Sequence, residues 1–354
     1  MLGRRRPYGG TSLGSLRAVL NLRELAIPVV GAPMAGGPST PALAAAISEA
    51  GGLGFVAAGY KTSQGVAAEV EGVREATSAP LGVNLFVVEP YEPPVGSLDA
   101  YRRSLEAEAA RLGAELGDAR WDDDDWQAKL ELVLDVRPEV VSFTFGCPGA
   151  EVLRSLADAG VLSMVTVTSV AEAREAVTRG AASLSVQGAD AGGHRATWDL
   201  EADVDRTPLV DLVSAVLAAV DVPVVAGGGV SDAADVAAVV ELGAVAAQVG
   251  TAYLLADEAA TKPVHRGALS SQTFATTDLT RAYTGRWARG LANRFMAEHA
   301  DAPAGYPHLH HLTAPLRAAA AAAGDAQVAH LWAGTGYAEA RSAPAAEITR
   351  ALAP

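Results

Sequence analysis

Short apolar runs alternate with longer Ala- and Leu-rich segments of helical period along most of the 354-residue chain, and this alternation limits the fold more than any other feature. The apolar runs mostly lack polar residues at alternate positions, which is typical of parallel strands covered on both faces. Eight βα units favour an α/β fold, a TIM-type (β/α)8 barrel, with an open doubly wound sheet as the alternative because periodicity does not show closure. The eight predicted strands are "IPVVGAPM", "GLGFVAAG", "PLGVNLFVV", "EVVSFTFG", "LSMVTVT", "SLSVQG", "VPVVAGGG" and "AVAAQVGTAYL".

Three of the segments between these runs, "STPALAAAISEAG", "SVAEAREAVTRG" and "SDAADVAAVVELG", begin at a serine and end at a glycine. Serine is a favoured N-cap because its hydroxyl accepts a hydrogen bond from a free amide of the first turn. Glycine readily adopts the left-handed conformation that ends many helices. The sequence therefore predicts helices capped by Ser39, Ser169 and Ser231.

One interruption of the βα pattern lies inside the barrel, which we expect to span residues 20–270. A stretch at about residues 90–135 holds "EPPVG", a helical segment and the acidic cluster "WDDDDW". It is longer than one crossover helix needs, so it is predicted to be a helical insertion over the barrel mouth. The cluster is interpreted as a solvated turn or helix start, because four adjacent aspartates cannot all converge on one metal ion.

After Leu255 the pattern changes. The segment "TTDLTRAYTGRWARGLANRF" is rich in arginine and aromatic residues, and a Pro/His-rich stretch and an alanine-rich helix follow it. Residues 271–354 are therefore predicted to form a smaller, mainly helical C-terminal region that packs on the barrel and completes the substrate site. The run "HLHH" is interpreted as part of a Pro-rich loop, with metal binding as the weaker alternative.

The formal net charge of -14 argues against a nucleic-acid or anionic-membrane partner, because either would need a basic face. The single cysteine, Cys147, excludes an intrachain disulfide and fits a reducing compartment. The basic N-terminal run "MLGRRRPYGG" is not followed by an apolar stretch of signal-peptide length, and no apolar run is long enough to span a bilayer. A cytoplasmic protein, either a monomer or a homodimer, is expected.

Ligands of such barrels bind at the carboxyl ends of the strands. After the seventh predicted strand, "GGGVSDAADV" is a glycine-rich turn that opens into a helix, and "GTAYL" follows the eighth. Helix N-termini and glycine amides attract phosphate, and barrels frequently bind phosphate after these two strands. We favour a phosphate site over the alternative that the glycines only permit tight turns. Neither the Walker nor the Rossmann spacing is present.

Other strand ends carry glycines and neutral polar groups. In "GAPMAGG", a flat aromatic cofactor could lie against the backbone of Pro33 and Met34, although the residues alone favour a simple βα turn. Asn84 ends the third predicted strand. Gln187 and Gln248 each end a strand, where a hydrogen bond to a ring or ribityl chain and the satisfaction of backbone groups are equally good interpretations.

Two side chains with reactive groups are candidates for chemistry. Cys147, in "FGCPGA", has no adjacent base or cation that would lower its pKa, so a small buried hydrophobe is favoured over a nucleophile. His194 lies in "QGADAGGHR", the polar loop after the sixth predicted strand. It therefore shares one end of the barrel with the predicted phosphate site.

Six motifs in order resemble those of the nitronate monooxygenases, formerly called 2-nitropropane dioxygenases. They are "GAPMAGG", "NLF", "QGADAGGHR", "PVVAGGGVSD", "QVGTAYL" and "LTRAYTGRWARGLANR". Each is weak alone, but the ordered set from Gly31 to Arg294 is specific for FMN-dependent barrels of this superfamily, and the last motif points to class I. The resemblance implies a TIM-type barrel with a smaller, mainly helical region and non-covalently bound FMN.

The resemblance also implies roles for individual positions, and no metal. The phosphate would contact the glycines and the threonine at the ends of the seventh and eighth strands. His194 matches the histidine beside the flavin, where it would either donate a hydrogen bond to the substrate or act as a base. The implied FMN-binding residues are Pro33, Met34, Asn84, Gln187, Gly192, Gly193, Gly228, Gly229, Gln248, Gly250 and Thr251.

The implied reaction is the oxidation of alkyl nitronates, such as propionate 3-nitronate, by dioxygen to a carbonyl compound and nitrite. Arg281, Arg286 and Arg289 are candidates for attracting a carboxylated substrate, although salt bridges are expected for at least two of them. One alternative is an FMN-dependent enoyl-acyl-carrier-protein reductase, an NAD(P)H oxidoreductase that would need a basic patch for its acidic carrier. A second alternative is a flavin-binding protein without efficient catalysis.

Three positions depart from the family pattern. Asp190 stands where Glu is common, Thr144 where many members carry His, and Thr335 where Gln is usual. The last two are the positions expected to alter the pocket. The resemblance therefore specifies the cofactor more firmly than the substrate.

Overall fold

The computed structural model describes residues 19–271 and 273–354, so the N-terminal run "MLGRRRPYGG" lies outside the described residues. Within those ranges the chain forms 11 strands and 12 α-helices. The strands are β1 (Val29–Gly31), β2 (Gly54–Ala57), β3 (Leu81–Phe86), β4 (Val140–Thr144), β5 (Leu162–Val167), β6 (Ser183–Gln187), β7 (Gly193–His194), β8 (Val224–Gly227), β9 (Ala246–Val249), β10 (Thr277–Thr280) and β11 (Ala288–Leu291). The helices are α1 (Pro41–Glu49), α2 (Ser63–Ala76), α3 (Ser97–Leu112), α4 (Trp126–Val136), α5 (Ala150–Asp158), α6 (Val170–Arg179), α7 (Leu209–Leu217), α8 (Ala233–Glu241), α9 (Pro263–Ser270), α10 (Arg294–Glu298), α11 (His308–Ala322) and α12 (Ala345–Ala351).

Eight of the strands form one parallel sheet that curls into a barrel. Their order is β1-β9-β8-β6-β5-β4-β3-β2, and every neighbouring pair runs parallel. A parallel bridge between Val30 and Leu53 joins β1 to the start of β2 and brings the two ends of the sheet together. Each of the eight predicted strands contains one barrel strand. The TIM-type (β/α)8 barrel is therefore confirmed, and the open-sheet alternative is wrong.

Alternate residues of the barrel strands pack on opposite faces of the sheet. In β1, Val29 belongs to a large buried cluster shared with α1 and other outer helices, whereas Val30 packs with Phe55, Met164 and Val225 from other barrel strands. Both faces are thus apolar, which explains why the strands read as continuous hydrophobic runs.

The caps of the predicted helices follow the sequence only in part. Ser169 caps α6 as predicted. Helices α1 and α8 are capped instead by Thr40 and Asp232, each one residue later than predicted. The predicted caps Ser39 and Ser231 are wrong because their hydroxyls are used in other hydrogen bonds, one within the preceding loop and one to a first-turn carboxylate. All three helices are followed by a glycine in the left-handed conformation, as predicted.

The insertion contributes α3 and α4. Helix α3 packs on α11, and the Tyr101 hydroxyl donates to the carbonyl oxygen of Ala282 at 2.5 Å. Helix α4 begins directly after the four aspartates of the acidic cluster, so the interpretation of the cluster as a helix start is confirmed. The other interpretation, a solvated turn, is wrong for Asp124, whose side chain is 8% exposed and forms an ion pair with Lys129. Among residues 19–271 and 273–354, no group of His, Cys, Asp and Glu side chains is suited to hold a metal ion.

The C-terminal region contains a small sheet as well as helices. Strands β10 and β11 form an antiparallel hairpin, and β11 also pairs with β7, which comes from a barrel loop. The run "HLHH" lies in the first turns of α11 and not in a loop, because Pro307 precedes the helix at a position where its missing N–H costs nothing. No helix in the described ranges is long and apolar enough to cross a bilayer.

Gly54→Ala tests the close contact between α1 and β2. The new Cβ would lie 2.0 Å from the carbonyl oxygen of Ala44, so we expect the free energy of unfolding to fall by about 2–3 kcal/mol. Gly267→Ala, in the exposed middle of α9, is the matched control, since its Cβ would meet nothing within 4 Å and should add roughly 0.5–1 kcal/mol. Urea unfolding followed by circular dichroism measures both variants. Equal stabilities would contradict the tight packing of α1 on β2.

Candidate active site

A cavity of about 410 Å³ lies at the carboxyl ends of the barrel strands, beneath residues of the C-terminal region. This is the end at which barrels of this type bind ligands. The structure brings all twelve sequence-predicted site residues to this one cavity: Pro33, Met34, Asn84, Gln187, Gly192, Gly193, His194, Gly228, Gly229, Gln248, Gly250 and Thr251. Their individual roles toward a cofactor stay predictions.

The loop that carries His194 is held by two neighbouring side chains. The Gln187 amide donates from Nε2 to the His194 carbonyl oxygen at 2.9 Å and accepts at Oε1 from the Ala196 amide at 2.9 Å. The buried Arg195 guanidinium donates to the Gln187 carbonyl oxygen. The amide of Gln187 therefore satisfies backbone groups, which was one of its two interpretations, while the residue also lines the cavity.

The His194 ring lies in an aromatic environment. Its Nε2 is 2.9 Å from Oγ1 of Thr284, and its ring centroid lies 5.7–5.8 Å from those of Phe145, Tyr306 and Trp332. Burial, assisted by nearby arginine charges, lowers the pKa of His194 to about 3. The imidazole is therefore neutral at physiological pH and is a weak base.

The glycines after β8 and β9 are needed for backbone geometry. Gly228 and Gly229 have φ angles of 116° and 82°, in the region that favours glycine, and they precede α8. Near the end of β9, Thr251 accepts a hydrogen bond of 3.0 Å at Oγ1 from the backbone N of Gly334. A Cβ at Gly192 would lie 2.4 Å from that same nitrogen. The C-terminal segment thus closes tightly over the predicted phosphate site.

Two further predicted residues take part in polar networks between strands. Asn84 donates from Nδ2 to Oγ of Ser142 and to Oγ1 of Thr144, both at 2.9 Å. The Ser185 hydroxyl donates to Oε1 of Gln248. Thr144, one of the departures from the family pattern, therefore lines the cavity and helps to orient Asn84.

The other departures lie close to the predicted phosphate site. The backbone N of Thr335 donates to the carbonyl oxygen of Asp190 at 3.2 Å. Both side chains face Gly229, since each would contact a Cβ placed there. Thr335 is thus adjacent to the cavity, which its neighbours Gly334 and Gly336 line.

Sequence reasoning missed several cavity residues, most of which come from the C-terminal region. Tyr60 follows β2, whereas His310 and Arg317 come from α11, and His330 and Trp332 follow that helix. The one signal for the arginine is that it is the only charged residue in "LRAAAAAAG". Most residues on the side of the cavity formed by the C-terminal region were therefore not predicted from the sequence.

Arg281, Arg286 and Arg289 do not line this cavity. Arg281 donates to the carbonyl oxygens of residues 200 and 201, Arg286 to that of residue 197, and Arg289 to that of residue 189. They therefore tie barrel loops to the C-terminal region through backbone carbonyls. None of the three forms a salt bridge among the described residues, so the expected salt bridges are wrong.

Cys147 is buried in the apolar cluster between the barrel strands and the outer helices, outside the cavity. Burial raises the pKa of its thiol to about 11, so the thiol stays protonated at neutral pH. The interpretation of Cys147 as a small buried hydrophobe is confirmed.

Comparisons with known proteins agree with this arrangement. Residues 20–354 match the family model described as nitronate monooxygenase. A nitronate monooxygenase from Pseudomonas aeruginosa is 38% identical over 334 residues, which cover 92% of this chain and 95% of that protein. One from Paraburkholderia phytofirmans is 36% identical over 344 residues, which cover 95% of this chain and 94% of that protein.

Solved structures give the same result. A nitroalkane oxidase from Streptomyces ansochromogenes is 48% identical and superposes with a TM-score of 0.90, covering 93% of this chain and 95% of that chain. The residues matched by the family model, 20–354, include both the barrel and the C-terminal segments that line the cavity. This chain therefore belongs to the nitronate monooxygenase family of flavin-dependent oxidoreductases.

Proposed function

We propose that this chain binds FMN and uses it to oxidise alkyl nitronates with dioxygen, giving a carbonyl compound and nitrite. The proposal rests on one feature of the cavity: a neutral, half-buried His194 shares it with two cations, Arg317 and Lys262. In the part of the chain that the structure describes, neither cation forms an ion pair. Such a site favours an anionic substrate.

The names of the relatives support the class of reaction. Two proteins that match nearly the whole chain are called nitronate monooxygenase, and the protein of the similar solved structure is called nitroalkane oxidase. Both names describe oxidation of a nitro compound. A nitronate is the anion, and a nitroalkane is its neutral acid. The weakly basic His194 favours the anion for this chain, because a nitronate has already lost its proton.

The cavity suits FMN in its size and in its polar groups. Its volume of about 410 Å³ lies within the usual range for small-molecule sites, roughly 300–1,000 Å³. Gly228 and Gly229 precede α8, whose N-cap is Asp232, and a helix N-terminus carries partial positive charge that favours phosphate. We assign the phosphate to these two glycines together with Gly250 and Thr251.

The flat ring of the flavin is assigned to the backbone of Pro33 and Met34. When bound, a flavin supplies the electron transfer between substrate and dioxygen that no protein side chain here provides. The remaining cofactor contacts are assigned to Asn84, Gln187, Gly192, Gly193 and Gln248.

The side chains around His194 bind and orient the substrate. When the Thr284 hydroxyl donates to Nε2, the other ring nitrogen carries the proton and donates to a nitronate oxygen. The buried Arg317 adds positive charge at the cavity wall. The aromatic rings of Tyr306 and Trp332 cover part of the histidine, and the lower local polarity strengthens each of these electrostatic interactions.

The proposed reaction balances without a further reductant. Two nitronates and one dioxygen give two carbonyl compounds and two nitrites. At each carbon the C=N bond breaks and a C=O bond forms, and the negative charge leaves with nitrite.

Flavin-loaded protein is expected to release one nitrite per carbonyl formed from propionate 3-nitronate, because that stoichiometry follows from the proposed bond changes. A colorimetric nitrite assay and carbonyl trapping measure the two products. NADH added without oxygen is the control and should bleach the flavin only slowly. Rapid anaerobic bleaching without nitrite release would instead support the enoyl-acyl-carrier-protein reductase alternative.

Two substitutions at His194 separate a hydrogen-bond donor from a base. His194→Phe is expected to lower kcat/KM for nitronates roughly 100-fold, whereas His194→Asn, which keeps a donor, should lower it by about tenfold or less. Because burial lowers the pKa of His194 to about 3, kcat/KM should show no histidine ionisation between about pH 5 and 8. A wild-type inflection near pH 6.5 that disappears in both variants would show that His194 titrates as a base.

Gly228→Ala tests the phosphate site. The substitution strains a residue with φ of 116° and puts a Cβ 3.0 Å from the carbonyl oxygen of Gly188, so we expect FMN affinity to fall at least tenfold. Gly243→Ala is the matched control, with φ of 115° at the other end of α8 and only ordinary contact with Leu217. Flavin fluorescence titration of the apoprotein measures both. Equal FMN affinity in the two variants would remove Gly228 from the phosphate site.

A further inference from the structure

The acidic cluster of the insertion binds the loop that follows β2. Oδ2 of Asp124 lies 2.7 Å from Nζ of Lys129, and the two side chains are 8% and 2% exposed. The other oxygen of Asp124, Oδ1, accepts a hydrogen bond of 2.7 Å from the backbone N of Tyr60. Asp125 accepts one of 2.8 Å from the backbone N of Ser63. Two aspartates of "WDDDDW" thus hold one cavity loop.

Tyr60 has a backbone conformation that needs such support. Its φ is 67°, in the left-handed region that residues with a Cβ rarely adopt. Its ring lines the cavity and stacks on His310, with centroids 4.1 Å apart and planes 6° apart. Arg317 in turn donates to the carbonyl oxygen of His310 at 2.9 Å. The position of Tyr60 therefore shapes the wall of the cavity beside Arg317.

The buried ion pair is not explained by stability alone. Removing two opposite charges from water is costly, and a well-packed apolar pair of similar size is often at least as stable. The carboxylate of Asp124 also has an oxygen that the ion pair does not use. Lys129 contacts Oδ2 of Asp124, whereas Oδ1 accepts the hydrogen bond from the N–H of Tyr60.

We propose that Asp124 is a positioning residue for substrate binding: through its hydrogen bond to the backbone N–H, it holds Tyr60 in its left-handed conformation, so that the Tyr60–His310 stack forms one wall of the nitronate site. The inference rests on the proposed function for the identity of the substrate. It gives the insertion a role in substrate binding, and this role is separate from forming the barrel and from binding the flavin.

Two double variants separate the hydrogen bond from the charges, and neither leaves an unpaired buried charge. Asp124→Asn with Lys129→Met keeps Oδ1 as an acceptor for Tyr60, whereas Asp124→Leu with Lys129→Met removes it. We expect the first variant to keep the wild-type KM for propionate 3-nitronate within about twofold. The second should raise KM about tenfold with little change in kcat, because substrate loses a preformed wall while the reacting groups stay in place.

Hydrogen exchange at the Tyr60 amide gives a readout that does not depend on activity. Mass spectrometry of a peptide covering residues 58–63 should show wild-type protection in the Asn variant and at least tenfold faster exchange in the Leu variant. Unchanged KM and exchange in the Leu variant would overturn the positioning role. Equal rises of KM in both variants would also overturn it, because the charges and not the hydrogen bond would then be responsible.

The two proposals fail in different ways. If the wild-type protein releases no nitrite from any nitronate, the proposed function is wrong. The exchange experiment would still show whether Asp124 holds Tyr60, because it needs no substrate.

Discussion

The pairing of the two-residue strand β7 with β11 is the contact on which the rest of the site depends. Gly193 lies opposite Arg289, and His194 lies opposite Ala288. This pairing fixes a barrel loop against the C-terminal hairpin and turns His194 toward residues that the barrel itself does not supply. Trp332 and Tyr306, both from the C-terminal region, pack beside the imidazole and reduce its contact with water. The barrel without this region would therefore contain the histidine but not its environment.

The charge of the whole chain and the charge of the site have opposite signs. The formal net charge is -14, yet the cavity contains Arg317 and Lys262 without ion-pair partners among the described residues. At physiological ionic strength, interactions between exposed charges are largely screened beyond roughly 8 Å. The acidic surface therefore opposes an anion only weakly once the anion has entered the cavity, where burial strengthens the interaction of an anion with Arg317.

The eight barrel strands could be predicted because parallel strands covered on both faces leave continuous apolar runs in the sequence. The glycines and polar residues at the strand ends could be predicted because the barrel places all such ends at one side. The hairpin could not: β10 and β11 carry threonine and arginine, and part of their pairing is with a strand of only two residues. Arg317 was missed for a related reason, since it reaches the cavity from α11, a segment outside the βα pattern. Tyr60 was missed although it directly follows the second predicted strand, because a single aromatic residue at a strand end gives no specific signal.

The burial that prepares the site also affects the stability of the fold in acid. His194, His265, His310 and His330 all line the cavity, and desolvation lowers the pKa of each, to about 3 for His194 and about 4 for His265. In the unfolded chain the same groups bind protons near pH 6.5. Below that pH the unfolded state therefore holds more protons than the folded state. As the pH is lowered below about 6.5, the free energy of unfolding therefore decreases, by at most about 1.4 kcal/mol per pH unit for each histidine. The histidines that stay neutral in the cavity thus also limit the acid tolerance of the protein.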